Sequence, residues 1–309
     1  DLRGSLTRAR TSSAGKGSRM ESALVVGEVA VAVLMAAGAA LLIRSVTRMY
    51  AIDPGIATKG TAVVDVAMPV LMTGDQRRQA IRELVAELEL LPGVRSVGAA
   101  QKLPLRGPGD SWGIMLESRP ELPQSTTAFR IVTPGYFETM GHRLGSGCGF
   151  EPGDRAGTEM VAVINESLAR QYFPDRDPIG QRLREMGAFA RIVGVIADAS
   201  EQNLTDPPVP ARYVLFDQLG YAPGAASLVL RLERADAAAG PVLEAARRVV
   251  HRLAPGIAIQ QTTSIERVFA EAVGPARQVM GLLALLTGLA MLLGAIGVYG
   301  VISHFVSRR

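Results

Sequence analysis

Cysteine is almost missing from this 309-residue chain. Cys148 stands alone, so no internal disulfide can form, and the stretch 145–149 around it reads as a glycine-rich turn in which it is simply a small residue. Histidine is nearly as scarce: His142, His251 and His304 lie far apart, without the HxxxH or CxxC spacing of a metal site. A phosphate-cradling loop of the form GxxxxGKS/T is lacking. Its nearest approach, Gly15-Lys16-Gly17-Ser18, has Arg10 where the upstream glycine belongs and no hydroxyl residue directly after Lys16. A GxSxG elbow is lacking too, because Ser146 in Gly145-Ser146-Gly147 has the wrong frame. Acidic residues are plentiful but evenly spread, as on any solvated surface. Together these absences exclude ATP binding through a P-loop and leave no catalytic constellation. The chain is expected to be a non-enzyme with no cofactor and no metal.

The middle of the chain also lacks net charge. Residues 44–278 carry 26 basic and 26 acidic side chains, although the whole chain has a pI near 9.5. The formal charge of +4 comes from the two ends, where Arg3, Arg8, Arg10, Lys16, Arg19, Arg308 and Arg309 outnumber Asp1, Glu21 and Glu28. A neutral centre argues against a nucleic-acid partner. Basic ends beside apolar spans are the mark of cytoplasmic flanks, which places both termini inside and the middle domain outside. Five basic residues precede the first apolar stretch, against three in 44–59. Arg44, Arg48 and Arg277 on the outer side do not oppose this, since long domains translocate largely regardless of their charge.

What the chain does have is two long apolar runs, consistent with 48% hydrophobic residues. Residues 23–43 contain one charge, Glu28, and residues 279–302 contain none. At about 1.5 Å per residue each can cross a hydrocarbon core about 30 Å thick. The organisation expected is a cytoplasmic linker 1–22, a transmembrane helix 23–43, an extracytoplasmic domain 44–278, a second transmembrane helix 279–303 and a cytoplasmic end 304–309. The first run is too long for a signal-peptide core and contains Glu28, so cleavage is the weaker reading. Beginning at Asp1 and stopping just inside the second span, the sequence reads as a piece of a longer polypeptide.

Between the spans, 61–68 alternates as a strand, 74–91 is an amphipathic helix with Ile81, Leu84, Val85 and Leu88 on one face, and 94–100 is a strand. A second such unit follows far downstream, with a strand at 227–233, a helix at 237–253 and a strand at 257–263. Two β-α-β units predict an α+β, ferredoxin-like (porter-like) layer from about 58–104 and 221–275. An inserted α+β lobe fills about 105–220, with strands at 112–117, 127–132, 159–164, 189–197 and 212–216. Its short helices fall at 134–140 and 165–173, the second capped by Asn165.

Small residues mark the spans. Glu28, Ala32, Ala36 and Ala40 recur every four positions and share one helix face. Ala284/Gly288 and Ala290/Gly294 are small-xxx-small pairs, and Gly294, Gly297 and Gly300 follow at three-residue steps. Such residues allow close helix approach, and an intramembrane carboxylate is costly unless it faces protein or water or snorkels to the interface. Glu28, Ala32, Ala36, Ala40, Gly288, Gly294, Gly297 and Gly300 are therefore the candidate packing and coupling residues, toward helices that this chain does not itself supply.

Several segments together resemble one family. Leu91-Pro92-Gly93-Val94, Ser96-Val97-Gly98 and Leu103-Pro104-Leu105 are similar to the opening of a MacB-type periplasmic core domain. So are Val132-Thr133-Pro134-Gly135-Tyr136-Phe137, Val163-Ile164-Asn165-Glu166-Ser167-Leu168-Ala169, Asp177-Pro178-Ile179-Gly180 and Ile192-Val193-Gly194-Val195-Ile196-Ala197-Asp198. Residues 293–303 resemble the start of an FtsX-like permease domain, and the whole looks like the duplicated, ATPase-less permeases of acidobacteria. The resemblance implies an inner-membrane, multi-pass permease subunit of a type VII ABC system, exporting substrate or handling lipoproteins by passing the motion of a cytoplasmic ATPase to its outer domain. The partners it implies are an ABC ATPase subunit, a second permease half or a homodimer, a periplasmic adaptor and membrane lipid. It supplies no catalytic residues. The alternative is a membrane-tethered adaptor or sensor that binds a periplasmic partner without transport.

Overall fold

The computed structural model describes residues 26–27, 30–31, 33–41, 43–44, 47–48, 52–107, 109–120, 125–201, 204 and 206–307. The predicted linker 1–22, Glu28, Ala32 and residues 308–309 lie outside the described residues. In chain order the elements are β1 (Thr61–Ala67), α1 (Gly74–Glu89), β2 (Val94–Ala100), β3 (Ser111–Gly113), β4 (Thr126–Val132), α2 (Tyr136–Met140), β5 (Leu144–Gly147), β6 (Val161–Asn165), α3 (Glu166–Tyr172), β7 (Arg182–Glu185), β8 (Ala188–Ile196), β9 (Ala211–Leu215), β10 (Ala225–Leu232), α4 (Ala239–Leu253), β11 (Ala258–Ser264) and α5 (Ile265–Ser307). Two units result: Ile52–Ala272, and a second made of Asp1–Ala51 with Val273–Arg309, whose described residues are helical.

The predicted ferredoxin-like layer is present. Its four strands run in the order β11-β1-β10-β2, with every neighbour antiparallel. Alternation along β1 decides which face is apolar: Ala62, Val64 and Val66 join one core with Ile81, Leu84 and Leu88 of α1 and Ala246, Val249 and Val250 of α4. Burying each of the larger aliphatic side chains is worth roughly 1.5–3 kcal/mol, so this face alone fixes the register of the layer. A capping box starts α1, with the Gln76 amide N–H donating to the Thr73 hydroxyl at 3.3 Å and the Thr73 N–H donating to the Gln76 side chain at 2.8 Å. The helix ends at Glu89, two residues short of the predicted 91, and Gly93 at φ +82° turns the chain into β2.

The inserted segment extends the same sheet in the order β4-β9-β6-β8-β5, with β3 on β4 and β7 on β8. The two predicted lobes thus share one sheet, joined where β2 pairs with β4 at Ala100 and Val132. Two local expectations need correction. The strand expected over 112–117 stops at Gly113: beyond it the chain no longer pairs with β4 and meets β7 only through the bridge of Leu116 with Leu183. The glycine-rich stretch 145–149 is not simply a turn: Leu144–Gly147 forms the edge strand β5 on β8. Glycine permits this, since Gly147 sits at φ +70° and a Cβ there would meet the Val193 carbonyl and Ile179. The strand β7 also went unforeseen; its sequence, Arg-Leu-Arg-Glu, buries only Leu183 and Glu185.

Asn165 does more than cap. Its Oδ1 accepts from the Leu168 and Ala211 amides at 3.0 and 2.8 Å, and its Nδ2 donates to the Val209 carbonyl at 2.8 Å. One buried side chain therefore ties α3 to the strand β9. Asn165→Ala should destabilise the domain by on the order of 3 kcal/mol, as a lost cap plus backbone groups left without partners. Asn165→Asp keeps both accepted bonds and should lose less. Denaturant midpoints of the two variants check the order.

Candidate functional site

The joint between the layer and its insertion is built from residues of the Val132–Phe137 segment. Direct strand pairing there amounts to Ala100 opposite Val132, so neighbouring groups supply the rest. Thr133 accepts the Ala99 amide on its hydroxyl at 2.7 Å and returns its own N–H to the Ala99 carbonyl at 2.9 Å. The Gln101 amide donates to the Ile131 carbonyl at 2.9 Å. Tyr136, at the start of α2, is buried directly against Gly98, where a Cβ would come within 2.6 Å of the tyrosine Cα. Glycine at 98 is required for that approach, whatever its backbone angles.

Behind the joint lies a buried ionic network. Arg130 meets Glu201 through Nε at 2.9 Å and Nη2 at 2.8 Å, and Tyr213 donates its hydroxyl to the other Glu201 oxygen at 2.8 Å. Burial is the largest single influence on Arg130 and opposes its charge, yet Glu201 and its neighbours outweigh it and the pKa is raised. The Tyr213 hydroxyl is pushed well up, first by burial and then by Glu201, so it stays a donor. A second buried pair, Arg212 with Glu185, is completed by Thr127, the Trp112 and Gly113 carbonyls at 3.2 and 3.1 Å, and the face of Phe129 at 5.1 Å. Burial raises the Glu185 pKa more than Arg212 lowers it. Removing one member of such a pair leaves an uncompensated buried charge, which costs about 3–5 kcal/mol.

His142 sits against the same aromatic cluster, 5.6, 5.7 and 6.1 Å from the rings of Tyr136, Phe137 and Tyr213. Both its ring nitrogens are closed off from solvent, with no hydrogen-bond partner among the described residues. Burial pushes its pKa down from 6.5 to about 4. No group of three or more metal-ligating side chains occurs among the described residues.

In the helical unit, Gln278–Gly297 is long and apolar enough to cross a membrane. The described residues of 33–41 are helical, and the two helices touch: Thr287 Oγ1 donates to its own Leu283 carbonyl at 2.7 Å and lies 3.3 Å from the Met35 carbonyl. The less exposed positions of α5 are Met280, Leu283, Thr287, Ala290, Gly294 and Gly297, alternating steps of three and four. That is the spacing of left-handed helix packing. On the first helix Met35 and Ala36 are half-buried and Ala39 is buried. Of the residues singled out from sequence, Ala36, Gly294 and Gly297 lie on these less exposed faces, whereas Ala40, Gly288 and Gly300 are exposed. A Cβ added at Gly288, Gly294 or Gly300 would meet nothing within 4 Å. Thr287 was not anticipated; a single threonine inside an uncharged run was the available signal.

A family model, described as the MacB-like periplasmic core domain, matches residues 22–266. Among solved structures, the periplasmic region of MacB from Actinobacillus actinomycetemcomitans is similar at 16% identity and a TM-score of 0.48, covering 69% of this chain and 92% of that one. The extracellular domain of the noncanonic ABC-type transporter YknZ from Gram-positive bacteria is similar at 16% identity and a TM-score of 0.45, covering 65% and 100%. No curated protein matches.

His142, half-buried as a residue but with both ring nitrogens closed to solvent, sets a pH response. With a folded pKa below the ordinary value, His142 contributes stability in full above about pH 6.5 and loses it as pH falls toward 4. In His142→Phe, the drop in unfolding free energy between pH 7 and pH 4.5 should shrink by on the order of 2 kcal/mol. Urea titrations at the two pH values measure it.

Proposed function

This chain belongs to the MacB-like periplasmic core domain family, and on that premise we propose that it is a membrane permease subunit of an ABC-type transporter which passes force, not chemistry, to its outer domain. ATP hydrolysis then resides in a partner ATPase, and the chain itself performs no catalysis. The family match carries the reading, supported by an apolar stretch on either side of the domain. Ala36, Ala40, Gly288, Gly294, Gly297 and Gly300, with Glu28 and Ala32, act in it as packing and coupling positions. The open space beside Gly288 and Gly300, both exposed, suits helices from a second permease half or a second copy, because small residues let helix backbones approach closely. Export or lipoprotein handling at the inner membrane, with both termini cytoplasmic, follows from the same reading, as does docking of a periplasmic adaptor.

Two experiments test it. Cys148 is exposed and is the sole cysteine of this sequence, so a membrane-impermeant maleimide should label it in intact spheroplasts. Labelling that needs detergent would place the domain on the wrong side and end the proposal. For coupling, Ala36→Leu should weaken helix association by about 1–2 kcal/mol and lower the stimulated ATPase rate of the assembled transporter several-fold. Ala37→Leu, on the exposed side of the same helix, should leave both unchanged. Equal behaviour of the two variants would show that the Ala36 face has no part in coupling.

A further inference from the structure

Between α1 and the ends of β4 and β9 lies a cavity of about 210 Å³. Its floor is apolar and buried: Ile81 of α1, with Leu215 and Phe216 where β9 ends. Val85, Ala86 and Pro134 form the sides, and because Ala86 and Pro134 are exposed the cavity opens to solvent. The α1 positions that line it, from Arg78 to Glu89, recur at helical spacing and form one continuous face. That face lies beside the Ile81, Leu84 and Leu88 stripe that packs on the sheet, and it stands over a hollow. Thr133, which ties β4 to β2, lines the hollow too, so the cavity belongs to the joint. An apolar cavity of about 150 Å³ stays dry and takes up benzene. This one is about 40% larger, the size of two fused rings.

The charges at its rim are answered within the protein. Arg82 Nη1 donates to Asp217 at 2.6 Å, and its Nη2 donates to Gln79 at 2.6 Å. Arg78 Nη1 donates to the Leu219 carbonyl at 2.9 Å, and its Nη2 pairs with Asp75. A charged ligand would find no unpaired opposite charge on these arginines, whereas guanidinium groups held beside an apolar floor favour an aromatic face. Glu89 closes the far end of the helix face. Its pKa is raised, by burial first, although the Val97 backbone donates to it. A carboxylate has about four acceptor sites, so one backbone donor leaves room for another, and a donor brought by a ligand would offset the cost of burial.

We propose that this cavity binds a small uncharged heteroaromatic group of indole size, its rings on the floor of Ile81, Leu215 and Phe216 and its N–H donating to Glu89. An apolar floor under a few placed polar groups is the usual make-up of a small-molecule site. The site is a property of the outer domain and holds whether or not the chain takes part in transport. A free indole and the tryptophan side chain of a polypeptide share the required chemistry.

Titration calorimetry on the full chain in lipid nanodiscs, with empty nanodiscs subtracted, tests it with indole, 1-methylindole and N-acetyl-tryptophanamide. Indole should bind saturably, and 1-methylindole, which has no donor, about five-fold more weakly. N-acetyl-tryptophanamide binding as tightly as indole, or more tightly, supports the site with a polypeptide side chain as its occupant. Weaker binding of that amide supports it with a free heteroaromatic molecule. Ala86→Phe fills the cavity from its open side and should weaken indole at least about ten-fold. In Glu89→Ala, indole and 1-methylindole should bind alike, and this comparison decides alone if Ala86→Phe does not fold. Absence of saturable indole binding at millimolar concentration, equal binding of indole and 1-methylindole to the unaltered chain, an indole preference that persists in Glu89→Ala, or an unchanged affinity in folded Ala86→Phe would each overturn the proposal.

Discussion

Everything in the outer domain depends on how a four-stranded layer is fastened to a larger inserted sheet through one directly opposed pair of residues. Ala100 and Val132 alone would make a weak link, because a sheet is stabilised pair by pair along its strands. The deficit is made up sideways: Thr133 bonds Ala99 in both directions, and α2 lays Tyr136 onto Gly98. The Arg130–Glu201–Tyr213 network then packs a satisfied set of charges behind β4. A joint built this way is specific in angle because each polar group has a partner that a small rotation would remove.

Several short segments of the sequence have physical work of this architectural kind. Val132–Phe137 makes the joint. Asn165 ties α3 to β9, and Asp198 accepts from the Ser167 amide and hydroxyl, both at 2.8 Å, while also meeting Arg170 at 2.6 Å. Gly194 lies so close to the Cys148 carbonyl that no side chain fits between β8 and the end of β5. These are demands of backbone approach and of buried hydrogen bonding.

The helical unit follows a different logic. Contact between its two helices rests on close packing along a seam of small and apolar residues and on the hydroxyl of Thr287, 3.3 Å from the Met35 carbonyl. The seam that includes Thr287 is used within the chain, whereas Gly288 and Gly300 face open space on other sides of the same helix. One helix thus presents two kinds of surface, one of which stands open beside its glycines.

The sequence alone was enough to determine the class of the domain and its main elements. Hydrophobic period separates strand from helix locally, and both β-α-β units, with Ile81, Leu84 and Leu88 as the buried stripe of α1, were legible for that reason. The apolar runs were legible too, since length and lack of charge suffice. Tertiary structure decided what depends on residues far apart in the chain. Asp65 meets Arg106 and Ser227 across 41 and 162 positions, and Arg212 meets Glu185 and Thr127 across 27 and 85. Edge strands such as β5, held by a neighbour and not by their own apolar content, belong to the same class. Partners of buried polar groups are chosen by topology, and no local pattern of residue types records that choice.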